Sequence, residues 1–181
     1  YSDLLVQACV EQGTHYTDIT GENHWVRTLI DKHYENASLK GVRIVPSCGY
    51  DSIPSDIGTF FAVSQFNKPV KRVELFQEMQ GGASGGTIET AFSMGKLSKE
   101  MRDPFLLNPE NSSTEEQRKY SKDMMRIEKI EELDGWSGMF VMAAGNTRVV
   151  RRTAALMEQN QNSYGANFTF GEYGLHKTKK L

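Results

Sequence analysis

Helices alternate with short strands along the first part of the chain, and this order predicts an α/β fold with parallel strands and helices on the sheet faces. Three observations carry the prediction. Two apolar repeats of helical period each stop at a glycine, a β-rich run follows each repeat, and a polar cluster follows each run. Past Lys71 the pattern ceases to look doubly wound, because apolar and charged residues alternate as in a strand with one exposed face.

Leu4, Leu5, Ala8 and Cys9 recur at helical spacing over residues 4–12, and Gly13 stands where helices commonly end in the left-handed conformation. Residues 14–20 (THYTDIT) mix β-branched and aromatic side chains before Gly21, which predicts a strand feeding a turn. Trp25, Val26, Leu29, Ile30, Tyr34 and Ala37 then mark an amphipathic helix over residues 24–39, with Gly41 as its stop. A second strand is predicted over residues 42–48 (VRIVPSC), closed by Gly49 and a loop rich in Asp, Ser and Pro. Asp56 is expected to cap a further helix through Phe60, Phe61 and Val63. Residues 71–79 predict the one-sided strand, and residues 81–87 (GGASGGT) precede a predicted helix over 88–99. Asp103-Pro104 and Asn108-Pro109 mark loops, residues 111–123 read as a surface connection or a solvated helix, and residues 140–150 as a buried segment.

Of the 181 residues, 38% are hydrophobic and 24% charged, which supplies a core and argues against a disordered chain. With 21 basic and 23 acidic residues there is no broad positive field, so no nucleic-acid partner is expected. Cys9 and Cys48 lie far apart in sequence, and His15, His24, His33 and His176 show no metal-binding spacing. The expectation is no disulfide, no metal and a reducing, intracellular compartment. No apolar run approaches the ~20 residues that span a bilayer, so no transmembrane helix is expected. The sequence starts at Tyr1 rather than at methionine, and an interior stretch of a longer product is expected.

Asp18-Ile19-Thr20-Gly21-Glu22 sets two acids and a hydroxyl at the C-terminal end of the first predicted strand, the edge at which open α/β sheets bind ligands. The same residues also suit a turn leading into a helix. Residues 48–56 (CGYDSIPSD) gather Asp51, Ser52, Ser55 and Asp56 after the second strand, facing the same cleft, although Asp51 alone is a good turn former. The glycines of residues 81–87 lack both the Walker lysine and the dinucleotide spacing, which favours close backbone packing over phosphate binding. Asn146 and Arg148 offer an amide and a guanidinium suited to an anion, whereas Arg151 and Arg152 read as surface residues in ordinary ion pairs. Ser52 lacks the GxSxG setting of a hydrolase nucleophile.

Taken in order, GTHYTDITGE (residues 13–22), GVRIVPSCGYDSIPSDIG (41–58) and GGASGGTIETA (81–91) resemble the saccharopine dehydrogenase-like oxidoreductases, and among them the trans-acting enoyl reductase branch. DPFLLNP (103–109), FVMAAGNTRVVRRTAAL (140–156) and YGANFTFGEY (164–173) extend the resemblance over most of the chain. It implies the late part of a Rossmann-like, doubly wound NADP(H)-binding domain over residues 1–65. Part of an α+β substrate and dimerisation domain would follow over residues 66–181. It further implies hydride transfer to a C=C or C=N bond of an acyl or lipid-like substrate. Thr20, Gly21, Glu22, Cys48 and Gly49 would then contact the cofactor, and Tyr50, Asp51, Ser52, Asn146 and Arg148 the substrate. A homodimer or larger complex and contact with a membrane surface are compatible with it. An accessory, catalytically silent subunit is the competing expectation, because the family's glycine-rich first turn is not among these residues. Tyr50 stands where the family usually has phenylalanine, and Gly145 where it has a bulky aliphatic residue.

Overall fold

The computed structural model describes residues 3–78, 102–123 and 127–178. The glycine-rich segment 81–87 and the helix predicted over 88–99 lie outside the described residues.

Helices α1 (Asp3–Gln12) and α2 (Asn23–Leu39) form where the periodicity predicts them. Gly13 and Gly41 follow with φ of +71° and +64°, a conformation in which a Cβ is strained. Strands β1 (Tyr16–Thr17) and β2 (Ile44–Val45) pair in parallel, Tyr16 opposite Ile44 and Thr17 opposite Val45. Both are shorter than the β-rich runs that contain them, because the flanking residues close turns instead. Thr14 N donates to Cys9 O and Val42 N to Ala37 O, Pro46 has no N–H to give, and Ser47 turns at φ +62°. Val10, Ala37 and Val42 bury the α1–α2–β2 contact.

Helix α3 (Ile53–Ser64) starts one turn earlier than the expected Asp56 cap. Ser52 is the N-cap residue and Pro54 occupies the first turn, where a missing N–H costs nothing. Asp56 lies inside that turn, its N–H donating to Ser52 O and its carboxylate accepting from Thr153 Oγ1 at 2.9 Å.

The remaining strands form one mixed sheet in the order β3-β6-β5-β4. Strand β3 (Arg72–Gln77) runs parallel to the central β6 (Thr169–His176), while β5 (Gly135–Gly138) is antiparallel to both β6 and β4 (Glu128–Ile130). Helix α5 (Ala143–Gln159) packs on β6 and on α3, turning the buried segment expected at 140–150 into one helix. Val150, Tyr164, Phe168 and Phe170 form the core between them, with Val63, Val73 and Leu75 packed against it. A fully buried side chain of this size contributes about 1.5–3 kcal/mol. The chain enters β6 past Gly165, at φ +153°, where any Cβ would stand 2.5 Å from Val70 O. Only glycine lets Val70 N reach Tyr164 O at 2.7 Å without displacing that backbone.

Residues 115–120 settle as a solvated helix, α4 (Glu115–Tyr120), held by a capping box. Thr114 Oγ1 accepts from Gln117 N at 3.2 Å and donates to Asn167 Oδ1 at 2.8 Å, tying the helix to the approach of β6. Thr114→Ala is expected to cost about 1 kcal/mol in urea denaturation, and a change under about 0.3 kcal/mol would show that the cap carries no stability.

Candidate functional site

Asp18 ties together the loops that follow β1 and β2. Its Oδ1 accepts from Thr20 N at 2.9 Å and Ser47 N at 3.1 Å, its Oδ2 accepts from Tyr16 OH at 2.9 Å, and its backbone O accepts from Cys48 N at 2.7 Å. Burial and then the bond to Asp18 push the Tyr16 phenol up to about 12, so it stays a donor. Gly49 backs against Ile19, where a Cβ would sit 3.3 Å from the Ile19 Cβ. The two loops therefore lie side by side at the C-terminal ends of parallel strands, the edge where α/β sheets bind ligands.

The start of α5 joins them. Asn23 Nδ2 donates to Gly145 O at 3.0 Å, and a Cβ at Gly145 would lie 3.9 Å from Gly21 O, ordinary contact rather than a clash. One residue on, the buried Asn146 accepts from Ser52 Oγ at 3.0 Å and donates through Nδ2 to Glu172 Oε1 at 3.2 Å. Ser55 Oγ and Gln77 Nε2 donate to the same oxygen at 2.8 Å and 3.2 Å, whereas Glu172 Oε2 has no hydrogen-bond partner among the described residues. Burial raises the Glu172 carboxyl above its ordinary range, and the bonds from Ser55, Gln77 and Asn146 offset part of that rise. The amide of Asn146 is thus oriented from both ends, and the Ser52 hydroxyl proton points to it.

Thr20, Gly21, Glu22, Cys48, Gly49, Tyr50, Asp51, Ser52 and Asn146 consequently fall in one region. Thr20, Ser52 and Asn146 are buried, Tyr50 and Asp51 are exposed, and Glu22 is half-buried at the start of α2. Arg148 is not brought to this group. Its guanidinium lies on another side of α5, where Nη1 and Nη2 reach Asp123 at 2.7 and 2.9 Å and Nη2 also donates to Arg102 O at 2.9 Å. The surface reading of Arg151 and Arg152 is overturned. Arg151 is 4% exposed and donates to Pro104 O and Phe170 O, both at 3.0 Å. Arg152 donates to Leu107 O and stacks over Tyr34. Desolvation pushes Arg151 down to about 10, and backbone carbonyls rather than carboxylates answer both guanidiniums.

Ser55 belongs to the polar group read after the second strand, whereas Gln77 and Glu172 were not among the sequence candidates. Glu172 left a signal, because it shares one face of its strand with Phe170. A lone acid on an apolar face is a buried polar group that needs partners.

The site thus belongs to a mixed α/β protein whose strand-end loops converge on a buried network of neutral donors and one carboxyl. The chain is similar to a trans-acting enoyl reductase of Mycobacterium ulcerans (strain Agy99), 34% identical over 188 residues, 95% of this chain and 44% of that protein. It is also similar to trans-acting enoyl reductases of Mycobacterium tuberculosis (strain H37Rv) and Mycobacterium bovis (strain AF2122/97), each 33% identical over 192 residues, again 95% of this chain and 44% of theirs. The chain spans less than half the length of these curated relatives. No protein-family model matches it, and no solved structure matches it significantly.

Proposed function

We propose that the chain contributes to an NADP(H)-dependent reductase of the saccharopine dehydrogenase-like family that reduces the conjugated C=C bond of an acyl substrate. Residues 1–65 would be the late part of its Rossmann-like domain, and residues 66–181 part of its substrate domain. The observation that carries this is the convergence of the β1 and β2 loops with Asn146 at one strand edge. The polar chemistry fits one end of the cofactor: Thr20, Ser52 and Asn146 are neutral, and among the described residues no arginine or lysine hydrogen-bonds to them, which suits a nicotinamide and ribose rather than a pyrophosphate.

A bound reduced nicotinamide would supply a hydride to the β-carbon of the enoyl group, and a proton from solvent would complete the reduction at the α-carbon. Asn146, held by Glu172, fixes the Ser52 hydroxyl before substrate arrives and leaves the Ser52 oxygen as an acceptor toward the ligand. Glu22 and Asp51 disfavour a phosphate at the loop mouth and leave that position to uncharged parts of the ligand.

The test is a titration of the full-length gene product with NADPH, followed by nicotinamide fluorescence, and then NADPH consumption with an enoyl thioester. Saturable binding is expected, and Asn146→Leu is expected to lower kcat/KM by about 10–100-fold, or ~1.4–2.8 kcal/mol. A full-length protein that binds no NADPH would overturn the proposal in favour of an accessory subunit.

A further inference from the structure

A cleft of about 440 Å³ opens between α2, β2, the first turn of α3 and the flank of α5. Leu29 and Ile30 of α2, Ile44 of β2, and Val149 and Leu156 of α5 supply aliphatic walls. Its volume lies within the ~300–1,000 Å³ of small-molecule sites. At one end Cys48 and Ser52 line it, so it adjoins the strand-end loops.

Two polar side chains of its wall have partners within the protein, although Asp56 Oδ1 has none among the described residues. Arg152 donates to Leu107 O and stacks over Tyr34, and Asp56 accepts from Thr153. A strongly polar ligand would find few open partners there and would lose its hydration without return. An aliphatic chain loses nothing of the kind and gains from leaving water.

We propose that this cleft binds the hydrocarbon chain of an acyl ligand, with the carbonyl at the end lined by Cys48 and Ser52. As a substrate site this rests on the reductase reading, and as a chain-binding site it stands on the cleft alone. Cys48 is a free cysteine on the cleft wall, and Cys9 is a second free cysteine outside it, so the two thiols give a built-in reporter and control.

The experiment alkylates the full-length protein with iodoacetamide, without cofactor, and follows each cysteine by peptide mass. Competitors are acyl N-acetylcysteamine thioesters whose chains are lengthened two carbons at a time from acetyl. Long chains are expected to slow alkylation of Cys48 about tenfold at about ten times their dissociation constant and to leave Cys9 unchanged. Affinity should rise about fourfold per added methylene until the cleft is full. Leu156→Trp, which fills the cleft, should abolish the chain-length dependence while NADPH titration stays as in the parent. Equal protection by the acetyl compound, or no protection of Cys48 by any chain, overturns the proposal. Protection by long chains in a protein that binds no NADPH would keep the cleft as an acyl site and sink only the reductase.

Discussion

Asp123→Ala is expected to destabilise the fold by about 3 kcal/mol in urea denaturation, more than Arg148→Met, although both remove the same ion pair. The asymmetry follows from burial. The Arg148 side chain is 5% exposed and that of Asp123 39% exposed. Without Asp123, a buried guanidinium keeps, among the described residues, the neutral partners Thr147 Oγ1 at 3.1 Å and Arg102 O at 2.9 Å. Removing one partner of a buried pair costs about 3–5 kcal/mol, and the exposure of Asp123 sets the lower end. Without Arg148, Asp123 turns to water, and the loss falls to about 1–2 kcal/mol of hydrogen bonding and packing. The double variant Asp123→Ala/Arg148→Met should recover part of the first loss. Equal effects of the two single changes would show that the charge is hydrated in the fold.

Asp56→Asn is expected to stabilise the protein by about 2 kcal/mol near neutral pH and to have little effect near pH 4. Burial pushes the Asp56 carboxyl up to about 6, only partly offset by the hydroxyl of Thr153. In the unfolded chain it titrates near ~3.9. Because the folded value is the higher, the folded state binds the proton more tightly. This contribution is fully present below the unfolded value and is lost as pH rises through about 6. Above that, the fold holds an unfavourable carboxylate, at a rate of about 1.4 kcal/mol per unit. Asparagine keeps an acceptor for Thr153 and removes the charge. Its amide must occupy the place of the unpartnered Asp56 Oδ1, which trims the gain. Melting curves of both proteins across that pH range decide the matter, and a difference independent of pH would refute the assignment.

Much of the α/β part is legible locally. The apolar stripes of α1 and α2 and the glycines after them depend on helical period and backbone sterics, which act within a few residues. The strand-end position of Thr20 to Glu22 and of Cys48 to Ser52 follows from the same order. The helix start at Ser52 was missed because Ser52 and Asp56 are both good caps, and Pro54 in the first turn decides between them.

The second sheet was not legible in the same way. Strand β6 carries Gly171 and Gly174, residues that weaken a strand read by itself, yet it is central, paired with β3 on one side and β5 on the other. Arg151 and Arg152 looked like surface cations because nothing within a turn of them shows that Phe105, Leu107 and Tyr34 close over them. The polar network is equally non-local: Ser55 and Glu172 lie 117 residues apart, and Ser52 and Asn146 94.

By itself the sequence determined helices α1 and α2, their glycine stops, the parallel order of the first strands and the polar loops at their ends. Steric limits and periodicity set those within one element. Only the tertiary structure decided that Arg148 turns to Asp123 while Asn146, two residues earlier, turns to Ser52 and Glu172. Two residues advance a helix by about 200°, so the two side chains point to nearly opposite sides. Which partner waits on each side depends on how α3, β6 and the segment bearing Asp123 pack around α5, a sum of burial and pairing over distant residues.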